Sequence, residues 1–376
     1  TRYIPGWDTH GLPIEHAVIK NTGLNRHEMA PLDLRNKCKE YALECVETQK
    51  QDFIRFGVLG EWDRPYLTLR PEFEVKQLGI FGEMAKRGHI YKGLKTVYWC
   101  THCETALAEA EIEYAEKKSF SIYVKFPYVS EKKVTLPAGV DPKQAYAVIW
   151  TTTPWTLPSN VALTVNPEID YLKVKKGDEI YYVSKPLANK VLGEGTYEVL
   201  ETMKGKDLEY VEYEQLMPFV QPDEKAFFIT CMDYVTTEDG TGIVHIAPTF
   251  GADDANVARA AGIPSLFMIN KRGETRPMVD LTGKFYLLDE LDENFVKECV
   301  DVEKYKEYQG AWVKNAYNPV FMIDGKYDEK AAQAAESLDI VLAMMMKANN
   351  QAFKIEKHVH NYPHCWRTDK PVLYYP

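Results

Sequence analysis

The sequence predicts an α/β fold in which a β-rich module interrupts a host of helices and strands. Three observations support this prediction: amphipathic helical segments come first, short strands follow from Phe120, and helical segments return from Ala252. Strands that cluster between helical parts indicate a separate β-rich module, here of about 230 residues. Because the strands are short and closely spaced, we expect this module to be a barrel or a sandwich.

The first part of the chain predicts helices after an irregular start. Residues 1–30 are punctuated by Gly and Pro, which is typical of a strand that leads into a loop. In residues 31–57, apolar residues recur at helical spacing among charges. Residues 71–86 begin with a proline and carry an apolar stripe, which also predicts a helix. The Ala- and Glu-rich residues 104–114 predict a third, short helix.

The middle of the chain shows the two-residue alternation of half-buried strands, first in residues 120–126. Further strands are predicted at residues 145–150, 161–165, 179–183, 226–231 and 243–246. Helices are then predicted at residues 252–261, 290–300 and 329–337.

The composition limits the classes of protein to consider. The 376 residues suggest two or three domains at roughly 150 residues each, and 45% hydrophobic residues are enough for a packed core. A net charge of −10 argues against non-specific coating of nucleic acid, although a local basic surface could still bind RNA. No run of about 18 apolar residues is present, so no membrane span is predicted.

The cysteines indicate the cellular compartment of the protein, and the first residue indicates that the chain is a fragment. Of seven cysteines, only Cys100 and Cys103 form a close pair, which is typical of a reduced, cytoplasmic protein. The chain begins at Thr1 with no signal region. We therefore expect a piece of a longer protein.

Three motifs carry polar side chains that could do chemistry. Residues 6–15 place Asp8 and His10 in a Gly-punctuated segment, where such a pair is usually a turn or a cap. Residues 151–160 combine two prolines with four threonines and an asparagine, which suits a polar pocket that orients a water or an ester, and equally a Thr-rich edge strand. In residues 240–254, a predicted strand that ends near His245 is followed by acidic residues at the start of a predicted helix. An aspartate at a helix start is usually only a cap.

Taken together, these motifs resemble one known family. Residues 6–15 are similar to the signature of the class I isoleucyl-tRNA synthetases, residues 151–160 to the threonine-rich peptide of their editing domain, and residues 245–254 to that domain's second active-site segment. The resemblance covers essentially the whole chain. A leucyl enzyme would be expected to carry Ala-Phe where Thr9-His10 stands, and leucyl and valyl enzymes an Arg at Thr153.

The resemblance implies a division of the chain. It implies a partial Rossmann-type class I catalytic domain in residues 1–95, a connecting segment with a zinc-knuckle-like CxxC in residues 96–117, an inserted β-barrel-rich editing domain in residues 118–355, and a return to the knuckle and the catalytic domain in residues 356–376. The family's HIGH-type tetrapeptide and KMSKS-type loop do not occur in the sequence. We therefore expect editing from this chain, but no synthesis of the aminoacyl-adenylate.

The resemblance also implies a reaction and its partners. These are ATP-dependent charging of tRNA with isoleucine, with ATP and Mg2+ as cofactors of the full-length enzyme, and hydrolysis of mischarged valyl-tRNA. Isoleucine and valine differ by one methylene, which is worth only about 1–3 kcal/mol of binding free energy, and this limit to binding selectivity is well known for isoleucyl-tRNA synthetases. A cytoplasmic monomer without a membrane partner is expected.

The resemblance assigns roles residue by residue. The residues expected to catalyse hydrolysis are Thr152, Thr153, Asn160, His245 and Asp254. Those expected to bind the editing substrate are Thr151, Trp155 and Thr156. Those expected to bind the amino acid in the synthetic site are Gly6, Asp8 and His10. Asp254 is assigned to the ammonium group of the mischarged amino acid, because a buried carboxylate selects a free α-amine.

Cys100 and Cys103 form half of a zinc site. Relatives with a complete site place a second CxxC where this sequence has Cys365, and Thr368 stands where the fourth cysteine would be. His364 could be a fourth ligand only with strain, because it is adjacent to Cys365. A zinc site of three cysteines and a degenerate knuckle held by packing both stay open, and we expect the second.

Two other classes of function also stay open. One is a metal-dependent hydrolase unrelated to tRNA, which would need a complete set of ligands. The other is a non-catalytic tRNA-binding module, which would be favoured if the threonines and Asp254 lay far apart.

Overall fold

The computed structural model describes residues 3–128, 144–323 and 326–376. The chain divides into two compact units, Thr1–Gly93 and Leu94–Pro376. Within the described ranges, no helix has the length and apolar character needed to cross a membrane.

The first unit combines three α-helices with one pair of short strands in its described residues. The helices are α1 (Leu12–Thr22), α2 (Pro31–Arg55) and α3 (Pro71–Lys86). Strands β1 (Gly6–Trp7) and β2 (Tyr66–Leu67) pair in parallel. The helices predicted at residues 31–57 and 71–86 are thus confirmed. The apolar stripe that predicted α3 is exposed, at Val75, Leu78, Ile80, Phe81 and Met84.

Helix α1 corrects the prediction of a strand and a loop for residues 1–30. A short strand is present at Gly6–Trp7, but Gly11, at φ 107, and Pro13, in the first turn, begin a helix where a loop was expected. Gly23 ends it in the left-handed conformation, at φ 69. Among the described residues of this unit, parallel pairing is limited to β1 and β2, so the expected Rossmann-type sheet is not confirmed.

The second unit contains most of the strands. They are β3 (Val97–Cys100), β4 (Thr105–Leu107), β5 (Ile112–Pro127), β6 (Ala145–Thr151), β7 (Ala162–Val165), β8 (Asp170–Lys176), β9 (Glu179–Ser184), β10 (Glu198–Lys204), β11 (Phe228–Cys231), β12 (Ile243–Ile246), β13 (Met268–Ile269), β14 (Thr275–Arg276), β15 (Met322–Ile323), β16 (Lys326–Tyr327), β17 (Ala352–Cys365) and β18 (Leu373–Tyr375). Its α-helices are α4 (Ala188–Leu192), α5 (Ala252–Ala261), α6 (Glu293–Cys299), α7 (Val302–Tyr305), α8 (Glu329–Ala334) and α9 (Leu338–Ala348).

The described strands of this unit form open sheets. The largest sheet has six strands in the order β10-β8-β9-β6-β5-β17, and a three-stranded sheet has the order β11-β7-β12. Within the described residues, no sheet closes on itself, so the barrel expectation is not confirmed, whereas the mixed α/β class with a large sheet is confirmed.

The long antiparallel pair of β5 and β17 corrects the helix predicted at residues 104–114. Strand β5 begins at Ile112, which pairs with Cys365, and β4 pairs with β3. Only Glu109–Glu111 is helical, as one 3₁₀ turn. Strand pairing here overrides the helix propensity of Ala and Glu, which is a weak preference.

The inner strands of the large sheet are buried on both faces. Alternate residues of β5 enter different clusters because successive side chains of a strand point to opposite faces. One cluster includes Ile122, Leu163, Ile246, Val257 and Leu342. The other includes Tyr123, Val148, Val174, Val183 and Val191. Strand β6 is therefore fixed inside the unit, and its end at Thr151 has a defined position.

Candidate functional site

The threonine-rich segment, residues 151–160, follows directly from β6. Thr151 is the last residue of β6, and a 3₁₀ helix, Pro154–Ser159, begins three residues later with a proline at its first position. The Thr153 N–H donates to Thr151 Oγ1 at 3.1 Å, and the two hydroxyl oxygens lie 3.3 Å apart. Thr152 is half-buried, and its hydroxyl makes no hydrogen bond with any described residue.

His245 lies next to this segment because β12 is in the three-stranded sheet. Its ring Nε2 is 3.1 Å from Thr156 Oγ1. The Thr156 hydroxyl donates its only hydrogen to the Thr153 carbonyl at 2.9 Å, so it must accept from Nε2–H. Burial lowers the pKa of His245 to about 4, and the ring is therefore neutral. Its Nδ1 is a buried acceptor without a partner among the described residues.

This arrangement also decides what Thr156 can do. A hydroxyl nucleophile needs a base that takes its proton. Thr156 instead gives its proton to a backbone carbonyl and accepts one from His245. Thr156 is therefore not an activated nucleophile, and the arrangement suits hydrolysis by a bound water.

Asp254 lies in the first turn of α5, two residues after Ala252 begins the helix. Its Oδ2 accepts the Ala247 N–H at 2.9 Å, and its side chain is half-buried. Burial raises the pKa of Asp254 to about 6, with a further contribution from Asp253, while the Ala247 N–H opposes the rise. A Cβ on Gly251 would lie 2.8 Å from the Asp254 carboxyl carbon, so the glycine permits this approach.

Two contacts, His245 with Thr156 and Phe250 with Trp155, connect the segment that contains Asp254 with the threonine segment. Ala247, which binds the Asp254 carboxylate, is two residues from His245, which binds Thr156. The Trp155 and Phe250 rings pack at 4.8 Å between centroids. The structure therefore brings the second and third motifs together around the end of β12.

Asn160 has both polar groups of its side chain engaged with the protein. Its Nδ2 donates to the Ala162 carbonyl at 2.8 Å, and its Oδ1 accepts from the Tyr213 hydroxyl at 2.7 Å. The residue is 2% exposed. The geometry therefore ties Asn160 to the end of the 3₁₀ helix.

Two residues near the site, Asp339 and Thr249, were not predicted as site residues. Asp339, in the first turn of α9, accepts the Trp155 N–H at 3.1 Å through Oδ1. Burial raises the pKa of Asp339, against the opposing effects of Lys314, the Trp155 N–H and Lys117. Thr249 lies between Ala247 and Gly251, and its buried hydroxyl has no partner among the described residues. An isolated aspartate 184 positions from Trp155 gives no sequence signal.

In the first unit, Gly6, Asp8 and His10 lie on and after β1. Asp8 lines a cavity of about 290 Å³ between β1, α1 and α2, and its Oδ1 accepts from the Thr68 hydroxyl at 3.3 Å. Gly6 is in β1, where a Cβ would lie 3.1 Å from the Tyr66 ring. His10 is exposed, does not line the cavity, and faces Glu74 at 3.9 Å.

Cys100, Cys103 and Cys365 converge at the ends of β3 and β17. Their sulfur atoms all lie within 4.8 Å of one another, close enough to bind one ion. The Thr368 hydroxyl is 3.8 Å from Cys100 Sγ, and the ring Nδ1 of His364 is instead engaged with the Tyr362 carbonyl at 2.7 Å. Structural zinc takes four ligands. The protein supplies three here, so a complete structural zinc site does not fit the described residues.

Comparisons with known proteins give the family. A model of the family "tRNA synthetases class I (I, L, M and V)" matches residues 1–360. The chain is 51% identical to an isoleucine–tRNA ligase of Bacteroides thetaiotaomicron, over 99% of this chain and 35% of that protein. Identities are 44% to the ligase of Bacteroides fragilis (99% and 34% covered) and 42% to that of Caldicellulosiruptor saccharolyticus (100% and 35%). The chain thus spans about a third of the length of these relatives.

Among solved structures, the chain is similar to the leucyl-tRNA synthetase editing domain of P. knowlesi, with 13% identity and a TM-score of 0.37 over 63% of this chain and 96% of that one. At that TM-score the similarity carries no structural argument. The family follows instead from the family model, which matches nearly the whole chain: the chain belongs to the class I tRNA synthetases.

Proposed function

We propose that this chain carries the editing part of an isoleucine–tRNA ligase and hydrolyses valyl-tRNA made in error. The observation that carries the proposal is the cluster around the end of β12, where a neutral histidine is hydrogen-bonded to the threonine segment and a half-buried carboxyl group is hydrogen-bonded to the backbone two residues after that histidine. The 51% identity to an isoleucine–tRNA ligase supports isoleucine as the amino acid of the whole protein. This closeness of the threonines to the Asp254 segment favours hydrolysis over a binding module without chemistry.

In this proposal, Asp254 binds the ammonium group of the mischarged valine. A carboxylate whose pKa is raised by burial lacks a counter-charge, and an ammonium group supplies one. A substrate without a free α-amine leaves that charge unpaired, which is unfavourable in a desolvated site. Asp254 therefore selects an aminoacyl ester with a free amine.

His245 and the threonines hold the ester and the water. The unpartnered Nδ1 of His245 accepts a hydrogen bond, from the attacking water or from the terminal ribose. Thr152 and Thr153 place their hydroxyl groups at the reacting ester, while Thr151, Trp155 and Thr156 form the surrounding pocket. Asn160 acts through its bonds to Ala162 and Tyr213, as a positioning residue. Placement of a water in a preorganised polar site then accelerates hydrolysis of a reactive ester.

The remaining features of the whole protein follow from the same proposal. Gly6, Asp8 and His10 belong to the synthetic site, which uses isoleucine, tRNA and ATP with Mg2+. The editing domain corresponds to residues 118–355, between the catalytic parts at residues 1–95 and 356–376 and the knuckle at residues 96–117. We propose a cytoplasmic monomer.

The test compares two adjacent aspartates in deacylation of valyl-tRNA by this chain. Removal of one partner from a buried ion pair typically costs about 3–5 kcal/mol, so Asp254→Ala should lower the rate by roughly two to four orders of magnitude. Asp253 is exposed and has no proposed substrate contact, so Asp253→Ala should retain nearly full activity. Loss of activity in Asp253→Ala alone would place the ammonium site one residue away, and full activity in both variants would refute the assignment.

A further inference from the structure

The three cysteines at the ends of β3 and β17 form a compact cluster of thiols. Cys100 is the last residue of β3, Cys103 follows in the turn to β4, and Cys365 is the last residue of β17. The three sulfur atoms lie within 4.8 Å of one another, and those of Cys103 and Cys365 are 3.9 Å apart. The fold therefore brings together thiols that are 262 positions apart in the sequence.

The cluster lies among apolar side chains. Cys100 and Cys365 are buried together with Leu107 and Val372, and Cys103 packs against this group while remaining half-buried. Such surroundings favour a neutral group over a charged one, because burial of a charge costs free energy unless a counter-charge is supplied. The partly exposed Cys103 leaves a side from which a small solute can reach the thiols.

The cluster offers three ligands of the same kind. In the part of the chain that the structure describes, no fourth cysteine, histidine, aspartate or glutamate joins it. The Thr368 hydroxyl lies 3.8 Å from Cys100 Sγ, but a neutral hydroxyl is not among the usual ligands of structural zinc. The cluster is therefore suited to a centre that takes three sulfur ligands and needs no fourth.

We propose that Cys100, Cys103 and Cys365 bind trivalent arsenic, taken up as arsenite, through their three sulfur atoms. The reactant is arsenous acid, As(OH)3. Three As–O bonds and three S–H bonds break, three As–S bonds and three O–H bonds form, three water molecules leave, and no electron is transferred. The product has no net charge, whereas three thiolates around Zn2+ or Cu+ carry one or two negative charges. A neutral centre needs no counter-charge in the apolar surroundings.

The distances agree with this coordination. At a bond length of about 2.3 Å, as in zinc thiolates, three sulfur atoms in one plane around a centre lie about 4.0 Å apart, and closer in a pyramid. The Cys103 and Cys365 sulfur atoms are already near that separation, at 3.9 Å. Bound arsenic would link the end of β3 to the end of β17, so it should stabilise the fold as a covalent cross-link does.

The experiment adds sodium arsenite or, separately, zinc chloride to the reduced chain in a phosphine reductant that contains no thiol. After gel filtration, elemental analysis should find one arsenic atom per chain, and X-ray absorption should find three sulfur neighbours around it. The melting temperature should rise with arsenite concentration, on the order of 5 °C at 100 times the dissociation constant. Zinc at the same concentration should not remain bound in stoichiometric amount.

Two cysteine variants provide the comparison. Cys103→Ala removes the least buried of the three thiols and should lose both the stoichiometric arsenic and the rise in melting temperature. Cys299→Ala, at a half-buried cysteine of α6 outside the cluster, should respond like the unaltered chain. If Cys103→Ala does not fold, the number of sulfur neighbours in the unaltered chain decides by itself.

Four results would overturn the proposal. These are no stoichiometric arsenic in the unaltered chain, fewer than three sulfur neighbours around the arsenic, arsenic that stays bound to folded Cys103→Ala, and zinc that binds in the same amount as arsenic. All of these readouts concern binding and stability, so they do not depend on the proposed hydrolysis.

Discussion

Asp254→Asn should make the protein more stable at neutral pH while abolishing its hydrolytic activity. The substitution keeps an oxygen that accepts the Ala247 N–H, at 2.9 Å in the structure, and removes only the charge. Burial raises the pKa of Asp254 from 3.8 to about 6, which corresponds to up to about 3 kcal/mol of lost stability once the group is ionised, at about 1.4 kcal/mol per pH unit.

The sign of the pH dependence follows from linkage. Below about pH 4, the carboxyl group is protonated in both the folded and the unfolded chain, so the unaltered chain and the Asp254→Asn variant should be equally stable. Between about pH 4 and 6 only the unfolded chain ionises readily, and above about pH 6 the full penalty applies. The advantage of Asp254→Asn should therefore grow across this window and then stay constant.

Thermal unfolding at pH 4 and pH 7.5 measures this difference, which should be on the order of 5 °C at pH 7.5. Asp253→Asn is the control, because its carboxyl group is exposed and should change stability by less than about 0.5 kcal/mol. Equal melting temperatures at pH 7.5 for Asp254→Asn and the unaltered chain would show that the carboxylate is well solvated. Desolvation would then not explain how Asp254 selects an ammonium group.

Two further predictions concern residues around the site and the cysteines. Asp339→Ala should lower kcat for valyl-tRNA hydrolysis with little change in KM, because the backbone N–H of Trp155 loses its acceptor. Asp339→Asn keeps an acceptor oxygen and should restore much of the rate. An equal loss in both variants would assign the effect to the charge of Asp339. The purified chain should contain no stoichiometric zinc. The Thr368→Cys variant, which completes a set of four thiols, should bind about one equivalent of zinc and should melt at a lower temperature after chelation. Stoichiometric zinc found in the unaltered chain by elemental analysis would contradict this prediction.

Local sequence signals predicted many elements, but not how they meet. Alternation and flanking glycines were sufficient for β12 and α5, whose bounds match the prediction. The pairing of His245 with Thr156 joins residues 89 positions apart and depends on the register of β12 against β7. No local pattern encodes that register.

Other elements and contacts could not be predicted because they depend on residues that are distant in the sequence. In residues 104–114, strand pairing with distant segments outweighed helix propensity. Helix α9 and strand β17 were not predicted at all, and they bring Asp339, Tyr362 and Cys365 to their partners. Asn160 stays a predicted site residue, and its residue type could not reveal that Ala162 and Tyr213 engage its polar groups.

Deacylation of valyl-tRNA and isoleucyl-tRNA by this chain is the decisive measurement for the proposed editing function. Valyl-tRNA should be hydrolysed and isoleucyl-tRNA spared, because one additional methylene must be excluded from the pocket beside His245 and the threonines. Equal hydrolysis of both substrates, or no hydrolysis of valyl-tRNA by the folded chain, would contradict it.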